Sequence, residues 1–260
     1  MAETRDWLFS NCTACPSIIC CYTYNVNILG WDAYRIARRR HLPYRAFLGY
    51  VEQEEPDSTS FRLQVDGPPY MLTLLKRAAG ARPEGWPCAW LLDLPGDVHR
   101  CGLYEERPLV CRIYPGALYE GVAQFRRETV CPWPVYDIGK IDLRRWKGAL
   151  LDNRVEKDIY EAVLAIWNAR VFAADDRPHS LDELFRFLLN VYHRTEAFRP
   201  TSPAQWRRVR SEWSRLLDVQ GSPLLLAPND PAEAALRDES HAALWRLAAG
   251  IRQTLRELAP

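Results

Sequence analysis

The chain has 260 residues, 48% of them hydrophobic and 26% charged, with 10 tryptophans and 12 tyrosines, a composition that can bury a substantial core and excludes disorder. Lysine plus arginine total 34 against 33 for aspartate plus glutamate, so no global charge draws the chain to nucleic acid or to a membrane surface. No run of about 18 apolar residues is present, and the amino terminus lacks the basic, apolar and small-residue regions of a signal peptide, which leads to the expectation of a cytoplasmic protein with no membrane contact.

The eight cysteines, Cys12, Cys15, Cys20, Cys21, Cys88, Cys101, Cys111 and Cys131, all lie in the first 131 residues. In a reducing compartment such a set serves metal binding or redox chemistry; four disulfides on an exported domain would be the competing reading, and no export signal supports it. The cysteine boundary divides the chain into an expected metal-binding domain over residues 1–137 and a helical domain over residues 138–260.

In chain order, Cys12 to Cys21 reads as a turn-rich coil presenting sulfur, stiffened by Pro16. Tyr22 to Ile28 alternates apolar and polar residues, the period of a half-buried strand that Gly30 ends. Trp31 to Arg40 reads as a helix, with Asp32 in its first turn and Arg38 to Arg40 as a solvated basic end. Residues 52–60 look like an acidic surface loop. Phe61 to Val65 then alternates, and Asp66-Gly67-Pro68 turns the chain into a hairpin that returns through Tyr70 to Leu74. Cys88 is delivered by a loop after Pro87, Trp90 to Leu94 is a short apolar run, and Pro95-Gly96-Asp97 turns into the stretch Cys101 to Pro115.

From about Asp142 helical periodicity takes over. Leu143, Trp146, Leu150, Val155, Ile159, Val163, Ile166 and Trp167 form one long apolar stripe with a possible break near Asp152-Asn153. Ser180 to Glu183 is a capping-box pattern opening a helix whose apolar face holds Leu184, Phe185, Leu188, Leu189 and Tyr192. Ser202-Pro203-Ala204-Gln205 opens another, stopped by Gly221. Asp230 to Glu233 opens the last, carrying Leu236, Leu244, Leu247, Ile251 and Leu255. The fold class is therefore α+β: a small loop-rich cysteine-cluster domain with short strands, then a mainly helical bundle.

Thiolates are soft ligands that select zinc, copper(I) or iron–sulfur clusters. Cys12 and Cys15 have a spacing that can reach one ion. Cys20 and Cys21 are adjacent, so their side chains diverge, which suits a polynuclear centre or two closely spaced centres better than separate zinc fingers. Arg107 and Arg112 flank Cys111 and would offset the negative charge of a thiolate-held cluster; ion pairs with Glu105, Glu106 or Glu128 are their alternative use. His99 stands two residues before Cys101 and reads more simply as a solvated or supporting histidine than as a ligand. Arg207, Arg208, Arg210 and Arg215 with Trp206 and Trp213 would make a basic aromatic face for nucleic acid, but Glu212 and Asp218 interrupt it and the helical stripe already places the tryptophans in a core. No phosphate-loop, dinucleotide-binding or nucleophile-elbow pattern occurs.

The ordered set of Cys12-Thr-Ala-Cys15 ending in Cys20-Cys21, then Cys88-Ala-Trp-Leu-Leu-Asp93, then Cys101-Gly-Leu-Tyr-Glu-Glu-Arg-Pro-Leu-Val-Cys111-Arg-Ile-Tyr-Pro115, resembles the YkgJ-type cysteine-cluster proteins, a zinc- or iron-chelating domain family. The resemblance covers residues 8 to 135. It departs from the family pattern between Cys15 and Cys20, where Pro-Ser-Ile-Ile stands in place of the usual glycine-containing spacing. It implies a metal centre, commonly an iron–sulfur cluster, with zinc as the alternative. Three functions follow as expectations: an iron–sulfur protein with an electron-transfer or redox-linked role whose helical half docks a protein partner; a cluster-containing enzyme related to flagellin lysine methylases; or a zinc-stabilised interaction module.

Overall fold

The computed structural model describes residues 19–78, 85–96, 98–103, 106–114, 116–119, 122–125, 143–174, 177–225 and 241–260. Cys12, Cys15 and Cys131, the residues Glu105, Pro115 and Glu128, and the helix start read at Asp230 lie outside them. The architecture is α+β, with short antiparallel strands in the amino-terminal part and a mainly helical carboxy-terminal part. Contacts divide the chain into two compact units, one of residues 1–51 and 72–153 and the other of residues 52–71 and 154–260.

The first unit opens with α1 (Ile19–Thr23), so Cys20 and Cys21 sit on a helical turn and not in the expected coil. The predicted strand from Tyr22 does not form. Its first two residues end α1, and only Val26 to Ile28 lie alongside β2 (Tyr70–Leu74), with Ile28 N–H donating to Leu72 O at 3.1 Å and Leu74 N–H to Val26 O at 3.2 Å. The helix α2 (Gly30–Arg40) matches the prediction to within a residue and ends at His41 in the left-handed region, φ 53°, whose N–H returns to Ala37 O. Its buried face, Ala33, Tyr34, Ile36 and Ala37, supplies much of this unit's core together with Phe47, Leu72 and Leu103.

A single 3-10 turn, Tyr44–Ala46, leads into β1 (Leu48–Glu52), which pairs with β2. This strand gives little sequence signal, because Leu48 is its sole fully buried side chain. The hairpin β3 (Leu91–Leu94) and β4 (Val98–Cys101) is antiparallel, with Leu91 opposite Cys101 and Asp93 opposite His99. Gly96, φ +79°, sits between the two strands in a conformation that glycine adopts without steric cost. The one-turn helix α3 (Leu109–Ile113) carries Cys111. Strands β5 (Gly116–Tyr119) and β6 (Val122–Phe125) form a second antiparallel hairpin. The long helix α4 (Leu143–Phe172) follows without a break at Asp152-Asn153, and its Trp146 indole donates to Ile113 O at the end of α3, 3.4 Å.

In the second unit, α5 (Leu181–Glu196) begins with the capping box read from the sequence: Ser180 Oγ accepts from Glu183 N–H, and Glu183 Oε2 accepts from Ser180 N–H at 2.7 Å. Leu184, Phe185, Leu188 and Tyr192 are buried as expected, whereas Leu189 is 46% exposed and Phe187 and Val191 complete the face instead. Helix α6 (Pro203–Val219) has its Ser202 cap, and Gly221 follows it at φ +87°. Helix α7 (Ala242–Leu258) packs against both α5 and α6 through Leu244, Leu247, Ile251 and Leu255. Trp213 is fully buried, its indole donating to Asp158 Oδ2 at 2.7 Å, which confirms its place in the core.

The acidic stretch after β1 is not a plain surface loop. Thr59 and Ser60 are buried, with Asp57 Oδ1 accepting from Thr59 N–H at 2.8 Å. The hairpin read at Phe61 to Val65 shrinks to one pair, Phe61 with Tyr70. The backbone beyond it is claimed by other partners: Arg62 N–H donates to Asn168 Oδ1, the Trp167 indole donates to Arg62 O, and His179 N–H donates to Leu63 O. Buried backbone groups must be paired somewhere, and here two side chains of α4 and the backbone of His179 take the place of a strand ladder.

Candidate metal centre

Five of the eight cysteines fall among the described residues, and none of the five is in a disulfide. Cys20 and Cys21 come from α1, Cys88 from the segment before β3, Cys101 from the end of β4 and Cys111 from α3. Each is fixed by a different local device.

Beyond β2 the chain stays extended, and residues 75–77 pair with 87–89: Ala89 N–H donates to Leu75 O at 2.8 Å and Arg77 N–H to Pro87 O at 2.9 Å. This puts Lys76 directly opposite Cys88, and directly opposed residues of an antiparallel pair project to the same face. Cys88 N–H donates to Cys21 O at 2.8 Å, which ties that segment to α1. The Lys76 ammonium donates to the carbonyls of Cys21 and Tyr22, both at 2.9 Å. A cation on the last carbonyls of a helix satisfies acceptors that have no partner within it; this ends α1 and removes the positions that sequence alternation assigned to a strand. Gly85 passes so close that a Cβ there would stand 2.8 Å from the Tyr22 carbonyl oxygen.

On the β3–β4 hairpin, Cys101 shares its face with Leu91, which packs with Tyr22 and Cys21. His99 lies on the same face two residues earlier, and its Nδ1 is 2.8 Å from Asp93 Oδ1. Asp93 also accepts from Arg77, and these two bonds hold its carboxyl below the usual range, the Arg77 bond most strongly. Among the described residues His99 is thus a partner of Asp93.

Cys111 is placed by α2. Asp32, 1% exposed, accepts from the Leu109 N–H at the start of α3 at 2.7 Å, and its other oxygen accepts from Arg35 at 3.2 Å. Arg35 reaches on to Arg107 O at 3.3 Å. Asp32 therefore does more than complement the dipole of its own helix: it caps a helix 77 residues away. The basic end of α2 is likewise not simply solvated. Arg40 donates to Gly102 O at 3.1 Å and to the Glu106 carboxylate, which Arg39 approaches at 3.7 Å. Glu106 is buried and these two arginines hold it.

Burial and neighbouring charges act on several of these groups. Burial pushes the Cys111 thiol well above its ordinary value, with Cys101, Cys88 and Cys20 adding to the rise and Arg107 opposing it. Burial also raises Cys88, against the pull of the Trp90 backbone N–H, Lys76 and Arg77. Lys76 is lowered by its own burial, while Cys88, Cys21, Cys20 and Cys111 act to keep it charged. Arg107 is buried and Arg112 half-buried beside Cys111 on α3. Among the described residues no group of three Cys, His, Asp or Glu side chains stands close enough to hold one ion; the remaining three cysteines lie outside them. Gathered thiols with cations nearby are a donor set that fits a soft metal centre.

In the second unit a cleft of about 360 Å³ is lined by Trp167, Arg170, His179, Glu183, Arg186 and Phe187 among others, with no sulfur in it. Among the described residues no helix is long and apolar enough to cross a membrane.

No curated protein and no solved structure matches the chain. Residues 11–132 match the family model CxxCxxCC, described as "Putative zinc- or iron-chelating domain", a span that contains all eight cysteines.

Proposed function

We propose that Cys12, Cys15, Cys20, Cys21, Cys88, Cys101, Cys111 and Cys131 hold an iron–sulfur centre and that the protein has an electron-transfer or redox-linked role in the cytoplasm. The observation that carries this reading is the way separate cysteine-bearing segments meet: Cys88 N–H donates to Cys21 O at 2.8 Å, and Leu91, opposite Cys101 in the β3–β4 pair, packs with Tyr22 and Cys21. Cys20 and Cys21 are neighbours on a helical turn, so their side chains leave the axis about 100° apart and suit two different metal atoms better than one. Arg107, whose charge acts on Cys111, and Arg112 beside it would balance the negative charge of a thiolate-held cluster. When bound, such a cluster supplies one-electron chemistry at a potential set by charge, hydrogen bonding and exposure. A protein partner would engage the helical half, where Phe172 and Val219 stand exposed.

Zinc is the second reading, since the family description names both zinc and iron. Purification without oxygen, followed by metal and acid-labile sulfide analysis, separates the two. The iron–sulfur reading expects a brown protein with broad absorption near 400 nm and stoichiometric sulfide. A colourless preparation with stoichiometric zinc and no sulfide would overturn it, and a metal-free one would overturn both.

A further inference from the structure

We infer that Lys76 is a positioning residue of the cysteine centre: it locks the Cys20–Cys21 turn against Cys88 and keeps a positive charge among the sulfurs. The inference rests on the metal-binding reading above and assigns a role to a residue that no cysteine motif contains.

The geometry leaves Lys76 little freedom. Its backbone is paired opposite Cys88, so its side chain leaves the strand on the cysteine's face. Its ammonium meets two carbonyls of α1, those of Cys21 and Tyr22, at 2.9 Å each. The Cys21 carbonyl thereby accepts from both Lys76 Nζ and Cys88 N–H, so one oxygen couples the two cysteine-bearing segments. Helix α1 has five residues, too few to stand by its own hydrogen bonds. Its orientation, and with it the direction of both sulfurs, depends on what holds its end.

The charge matters separately. Four thiolates around a divalent ion are formally dianionic, and burying that charge is costly unless cations stand near. Lys76 is one such cation, its ammonium seated on the carbonyls of Cys21 and Tyr22 and its side chain on the face that Cys88 shares. A supporting residue that both orients ligands and balances their charge typically carries a 10- to 100-fold share of metal affinity.

The test uses the full chain purified without oxygen, as wild type and as Lys76→Met, Lys76→Gln and Lys76→Arg. Metal per chain and its loss to a chromophoric chelator are measured, with amide exchange followed by mass spectrometry at Tyr24 and Cys88, the two N–H groups bonded to Cys20 O and Cys21 O. Lys76→Met and Lys76→Gln should hold metal about 10- to 100-fold more weakly and exchange faster at those two amides, with α5 and α7 unchanged. Lys76→Arg, which keeps the charge, should recover part of the retention. A folded Met or Gln variant with wild-type retention and exchange would overturn the inference while leaving the metal reading intact. A wild-type protein without metal would overturn the metal reading, and the exchange at Tyr24 and Cys88 would then decide the positioning role alone.

Discussion

Replacing Asp32 with alanine probes the link by which α2 holds Cys111. The carboxylate is 2% exposed and accepts from Leu109 N–H and from Arg35. Removing it leaves the Leu109 N–H buried without its acceptor, a loss of about 1–3 kcal/mol. Arg35 is 20% exposed and keeps its bond to Arg107 O, so water can take over much of its share and its loss is about 0–1 kcal/mol. Together these give about 1–4 kcal/mol, and at about 1.4 kcal/mol per decade roughly a 5- to 700-fold change in the folding equilibrium. Asp32→Asn keeps an acceptor and the side-chain volume, and should lose about 1 kcal/mol. Urea melts of the purified protein measure both, with metal retention followed on the same samples. Because Leu109 begins the turn that carries Cys111, the alanine variant should lose metal sooner than it loses the α5–α7 helical signal. A wild-type-like midpoint, within about 0.5 kcal/mol as for an ordinary surface substitution, would refute the cap.

Two further outcomes follow from packing and charge. At Gly116 a Cβ would meet three atoms of the Trp146 indole inside 3.0 Å, so Gly116→Ala should destabilise the first unit by about 1–3 kcal/mol, seen as a lower melting midpoint; an unchanged melt would show that the ring yields. Glu183 is held down to about 2, first by the Ser180 backbone N–H and then by Arg177. A depressed carboxyl stabilises the fold above its unfolded value of about 4.3, and that stabilisation is lost as pH falls through the folded value. The first turn of α5 should therefore loosen between about pH 4 and pH 2, read by amide exchange, and Glu183→Gln should flatten the profile; an unchanged profile in that variant would count against the capping box as its source.

What the sequence revealed depended on how far apart the interacting groups stand. The caps of α5 and α6 were legible because Ser180 and Ser202 act on backbone three residues on, and the cysteines announced themselves by type. Asp32 and Arg38 to Arg40 fitted a local dipole argument, yet Asp32 serves Leu109 and Arg40 serves Gly102 and Glu106, at separations of 77, 62 and 66 residues. No periodicity encodes those partners. The strand predicted at Tyr22 failed for a related reason: its alternation is real, but Lys76, 54 residues on, ends a helix there. Lys76 itself gave no signal, since its role comes from standing opposite Cys88 in a pairing that only the folded chain defines.

The segment 52–71 belongs to the same compact unit as the helices, and this fixes an order of events during synthesis. Its anchors, Asn168 to Ser60 and Trp167 to Arg62, are 108 and 105 residues downstream. A ribosome adding about 5–20 residues per second needs roughly 5–20 s to supply them. During that interval Phe61, which ends fully buried, waits in a nascent chain whose helical scaffold has not been made. Cys12, Cys15, Cys20 and Cys21 emerge before this interval and Cys88, Cys101, Cys111 and Cys131 inside it, so metal capture can precede completion of the helical unit.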